Sequence, residues 1–86
     1  MTDPTSPQAI AARLTPRQRE ALLWLPVDGT SLRYARERGP VIRGLAHRSV
    51  PLVSCHKQRY VGVPGATMIY TPNDLGRRVR EEVARG

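Results

Sequence analysis

Apolar residues recur along this chain at helical spacing as far as residue 50 and again after residue 75, with a strand-like stretch between. Ser6-Pro7 has the form of an N-cap followed by a first helical proline, and Ile10 and Leu14 lie four apart behind it. This predicts a short helix over residues 8–14, one that needs a packing partner to persist. Residues 1–6 read as a disordered lead-in. Thr15-Pro16-Arg17-Gln18 then supplies a cap, a first-turn proline and a glutamine placed to close a capping box. The helix runs through Ala21, Leu22, Leu23, Trp24 and Leu25, and Pro26 ends it there. Its apolar residues cover more than one narrow stripe. That suits the central helix of a small bundle, with the core organised near Trp24.

Val27-Asp28-Gly29-Thr30 reads as a turn, and Thr30 or Ser31 can cap a second short helix marked by Leu32, Tyr34 and Ala35 and ending at Gly39. Pro40 opens a third helix reaching Ser49. Val41, Ile42, Leu45 and Arg48 recur on its apolar side, while Arg43 and His47, four apart, share another face. So short a separation makes the two helices meet at an angle across a turn.

From Leu52 the residue types change to strand formers. Residues 52–56 and 59–63 read as one bent strand or two short ones, Pro64-Gly65 as the centre of a type II turn, and residues 66–71 as the returning strand. Thr71-Pro72-Asn73-Asp74 starts a last helix. Leu75, Val79 and Val83 form its apolar stripe, opposite Arg77, Arg78, Arg80, Glu81, Glu82 and Arg85. The predicted class is α+β: a three-helix core, a β-hairpin and a C-terminal helix. Residues 1–13 form a tail with a short helix, and residues 14–86 form one domain.

Charge adds a functional direction. The chain has 86 residues with 14 Lys+Arg against 7 Asp+Glu, a net charge of +7 and a pI near 11.1. Arg33, Arg36, Arg38, Arg43, Arg48, Lys57 and Arg59 face only Glu37 in their segment, which therefore holds +6 of that charge. A polyanionic partner follows. Cys55 is the single cysteine, so no internal disulfide framework exists and a reducing, cytoplasmic setting is expected. No apolar run is long enough to span a bilayer, and the basic segment has no large apolar face to insert into a membrane surface.

No catalytic set emerges. Cys55 and His56 are neighbours on a strand and point to opposite faces, so the expectation is a buried thiol beside an exposed imidazole. No second cysteine or carboxylate cluster completes a metal site. Glu81 and Glu82 lie side by side on a charged helix face, and the glycines fit no phosphate loop. Neither enzyme activity nor a cofactor is expected.

Two segments carry a resemblance. "LTPRQREALLWL" at residues 14–25 resembles the first helix of winged helix-turn-helix proteins of the multiple-antibiotic-resistance-regulator type, including small bacterial and phage members. "YTPNDLGRRVREEV" at residues 70–83 resembles their segment after the wing, with a longer spacing between Pro72 and Gly76. The resemblance implies a winged helix and a transcriptional regulator that binds duplex DNA. Arg43, His47 and Arg48 would then enter the groove, Arg33, Arg36 and Arg38 would hold the phosphate backbone, and Lys57 and Arg59 would act from the wing. The alternative is a phage-type winged helix that docks on a host nucleic-acid enzyme, such as a nuclease complex, and inhibits or adapts it. Its partner would be an acidic or nucleic-acid-binding protein surface. A homodimer is open under either reading.

Overall fold

The computed structural model describes residues 5–62 and 64–86. Five helices and one hairpin follow in the order α1 (Pro7–Arg13), α2 (Pro16–Trp24), α3 (Leu32–Ala35), a single 3-10 turn (Arg36–Arg38), α4 (Gly39–His47), β1 (Val53–Gln58), β2 (Thr67–Pro72) and α5 (Asp74–Arg85). The class is α+β, with one two-stranded antiparallel sheet.

The starts of α1, α2 and α5 lie where a local side chain satisfies free backbone N–H groups. The Ala9 amide donates to Ser6 Oγ at 3.2 Å, with Pro7 at the first position of α1. At α2, the Gln18 amide donates to Thr15 Oγ1 (3.2 Å) and the Thr15 amide to Gln18 Oε1 (2.9 Å), a complete capping box. Arg80 of α5 closes the other end of α2, donating to the carbonyls of Leu23 (2.9 Å) and Leu25 (3.2 Å).

α1 packs along α5 and buries Ile10 and Ala11, and Leu14 follows them into the interior. Residues 7–14 are thus a layer of the same core, which removes the tail character expected of residues 5–13; residues 1–4 of the expected lead-in lie outside the described residues. At the centre, Leu22, Leu25, Ile42, Leu45, Leu52 and Val79 are shut off from solvent. Trp24 does not organise this core. It lies two residues, about 200° of helical turn, from Leu22 and is left half-buried at the edge.

The hairpin resolves the alternative left open for residues 52–63. β1 is one strand, paired from Val53 opposite Pro72 to Gln58 opposite Thr67. Residues 59–61 are not strand, correcting the second run of strand formers; Val63 lies outside the described residues. Tyr60 and Val61 are exposed, and β propensity counts only where a neighbour covers the side chain. Gly65 takes φ +83°, the sign that the second central position of a type II turn needs, within a longer connection between the strands. On its other edge, β2 meets the chain again: Thr30 and Tyr70 exchange backbone hydrogen bonds of 3.0 and 2.8 Å. Gly29, at φ +88°, makes this approach feasible, since a Cβ there would meet Thr71 and Ile69.

α5 is capped by Asn73, with Thr71 and Pro72 ending β2 instead of starting the helix. Asn73 Oδ1 accepts from the Gly76 amide (2.7 Å), its Nδ2 donates to the Pro51 carbonyl (2.8 Å), and its own amide donates to the Leu52 carbonyl (3.1 Å). Gly76 lies directly against that Leu52 carbonyl. One residue thereby fixes α5 to the α4–β1 connection.

Candidate nucleic-acid interface

The interface is built around a break in the backbone. α3 stops after four residues because Arg36 adopts φ +55°, ψ −120°, a conformation that glycine tolerates and other residues seldom take. The second helix therefore does not continue to Gly39 as its spacing suggested. The chain turns through Arg36–Arg38 and re-enters helical geometry at Gly39. The Arg36 side chain is left exposed beside the start of α4.

α4 has two faces, as its sequence pattern predicts. Ile42 and Leu45 face the core, Val41 and Ala46 are half-buried, and Arg43, Gly44 and His47 are exposed. Arg36, Arg43 and His47 line one shallow groove of about 500 Å³, floored by Leu32, Gly39, Pro40 and Gly44. Among the described residues, no acidic side chain lines it. Glu37 lies instead on another concavity with Arg17, Glu20, Arg38 and Val41, so the helix break separates the segment's one carboxylate from the groove.

The hairpin base packs against this helix, and Tyr70 of β2 belongs to the shared core. Hydrogen bonding with Cys55, its cross-strand partner, raises the Tyr70 phenol above its ordinary pKa; burial adds to the rise, and the nearby positive charge of Arg43 opposes it. α4 packs against both strands of the hairpin here, with Cys55 and Tyr70 opposite each other in the ladder. Cys55 itself is exposed, not buried as expected. Beyond Val53 every residue of β1 is exposed, since no layer covers that strand where it leaves the body.

The expected interface residues divide. Arg36, Arg43 and His47 come together in the groove. Lys57 and Arg59 are exposed near the far end of the hairpin, and Arg33 is exposed on α3. Arg38 is engaged within the fold. Its guanidinium holds Glu20 Oε1 at 2.6 and 2.5 Å and lies over the Trp24 ring at 5.0 Å from the centroid, and the Glu20 carboxylate raises its pKa. Arg48 does not share the face of Arg43 and His47. It follows Arg43 by five residues, about 140° around the helix, and is half-buried with Nη1 enclosed and without a hydrogen-bond partner.

Among the described residues, no group of three or more His, Cys, Asp or Glu side chains could hold a metal ion, and no helix is long and apolar enough to cross a membrane. The two exposed tyrosines, Tyr34 and Tyr60, received no role from sequence. They line a second and larger cleft with Arg33. Comparison of the chain with protein-family models, with curated proteins and with solved structures finds no match.

Proposed function

We propose that this chain is a small winged-helix protein that binds duplex DNA as a transcriptional regulator, with α4 as the recognition helix and the β1–β2 hairpin as the wing. The observation that carries the reading is the groove formed by Arg36, Arg43 and His47, free of acidic side chains among the described residues and set on the exposed face of a helix whose other face is locked in the core. Guanidinium groups on such a face can bridge the O6 and N7 atoms of guanine, while Lys57 and Arg59 on the wing and Arg33 on α3 neutralise phosphates. The backbone at Arg36 adds support. A position that would suit glycine holds an exposed arginine at the mouth of the groove, and strain of this kind concentrates where a side chain must be aimed. Cytoplasmic localisation belongs to the same proposal.

The test is fluorescence anisotropy of selected and random DNA duplexes with Arg43→Ala, Arg36→Ala and Arg78→Ala proteins. Arg43→Ala should weaken binding to a selected site by roughly 5- to 100-fold and blunt its preference over random duplex. Arg36→Ala should weaken both duplexes alike. Arg78, exposed on α5 outside the groove, should be replaceable without effect. Equal behaviour of all three variants would contradict the assignment.

A further inference from the structure

A cleft of about 770 Å³, larger than the α4 groove, lies between α3 and the hairpin and shares only Leu32 with that groove. Its volume falls in the range of roughly 300–1,000 Å³ common to ligand clefts. The chain has only four aromatic residues. Trp24 and Tyr70 are packed, whereas Tyr34 (72 % exposed) and Tyr60 (48 % exposed) both line this cleft, together with Met68 (40 % exposed). Large rings held open to solvent around one concavity are ring faces without a partner. Among the described residues, Arg33 is the only charged one in the lining, which makes the cleft electropositive.

The cleft also contains a donor–acceptor pair. Tyr70 spends its N–H and C=O on Thr30, so in the alternating antiparallel ladder Met68, two residues away, turns its own N–H and C=O to the same edge. Thr30 occupies the edge at Tyr70 alone, and the chain then enters α3, leaving the Met68 groups without a partner.

We propose that this cleft binds single-stranded nucleic acid, with unpaired bases stacked on Tyr34 and Tyr60, a phosphate held by Arg33, and a base edge hydrogen-bonded to the Met68 backbone. Base–aromatic stacking beside a cation is the general means of holding an unpaired strand. The free edge is too short for the main competing occupant, an extended peptide added as a strand. Thr30 blocks it on one side, only Met68 is available, and Pro64 across the cleft has no N–H to give. The stacking rings belong to this cleft alone, while Arg33 would serve both this site and duplex binding.

The experiment is anisotropy with a labelled oligothymidylate of about 12 nucleotides, in parallel with a duplex, on wild type and on Tyr34→Ala, Tyr34→Phe, Tyr60→Ala and Arg43→Ala proteins. Thermal melts confirm folding, which the exposure of Tyr34 makes insensitive to its replacement. Tyr34→Ala and Tyr60→Ala should each weaken oligothymidylate binding by roughly 5- to 100-fold with duplex affinity unchanged. Tyr34→Phe, which keeps the ring, should bind like wild type, and Arg43→Ala should lose duplex but not oligothymidylate affinity. NMR shifts of the Met68 amide on adding oligothymidylate would support the site. The proposal is overturned if wild type does not bind the oligonucleotide at low salt, if Tyr34→Ala binds it as tightly as wild type, or if the Met68 amide responds to an alternating Glu-Val peptide and not to the oligonucleotide. Duplex failure with oligonucleotide binding intact would sink the regulator reading and leave this one standing.

Discussion

Tyr70 is buried at the hairpin base opposite Cys55, and its titration follows from that position. Hydrogen bonding with Cys55 and burial favour the neutral phenol in the folded state, so the folded pKa exceeds the unfolded value. The associated stability is fully present below the unfolded pKa of about 10 and is lost as pH rises from there through the folded value. Urea midpoints should therefore fall more steeply between pH 9 and pH 11 (about one unit either side of the unfolded value) in wild type than in Tyr70→Phe, which has no phenol to ionise. Arg36 offers a second residue-scale test, because its strain and its charge can be separated. Arg36→Gly relaxes a positive φ and should raise stability by about 1 kcal/mol in chemical denaturation, while weakening duplex binding as Arg36→Ala does. Gly76→Ala should act in the opposite direction. Its methyl group would collide with the Leu52 carbonyl, and a loss of about 3 kcal/mol is expected as α5 is pushed off its cap.

The elements differ in how far local sequence determines them. The starts of α1 and α2 were legible because Ser6, Thr15 and Gln18 satisfy backbone groups within three residues of themselves. The two faces of α4 were legible because helical spacing alone separates Ile42 and Leu45 from Arg43 and His47. What remained hidden depends on distant partners. Arg38 reads like Arg33 and Arg36 until Glu20, 18 residues away, and Trp24 are brought against it. Arg48 sits on the apolar side by its spacing, and counting charges obscured that. Tyr60 and Val61 look like strand because residue type cannot report that nothing will cover them. The break at Arg36 could not be anticipated, since no glycine marks it. α1 is the element whose importance the sequence understated: Ile10→Ala should destabilise the protein by about 2–4 kcal/mol in urea titrations, as a core position does and a tail position does not.

At the scale of the whole molecule, positive charge is distributed by the fold and not merely by composition. The helix break sends Glu37 toward Glu20 and Arg38, and leaves Arg36, Arg43 and His47 in a groove that no carboxylate lines among the described residues, with Lys57 and Arg59 beyond it on the hairpin. The clearest test is the salt dependence of duplex binding by the full chain. Three to five phosphate contacts predict a slope of log K against log salt of about −2.7 to −4.5, a loss of roughly 40- to 500-fold between 50 and 200 mM. In Arg36→Ala the slope should fall by about 1. A flat salt dependence, or no measurable duplex binding at 50 mM salt (about the low end of the range over which such contacts weaken), would contradict the account.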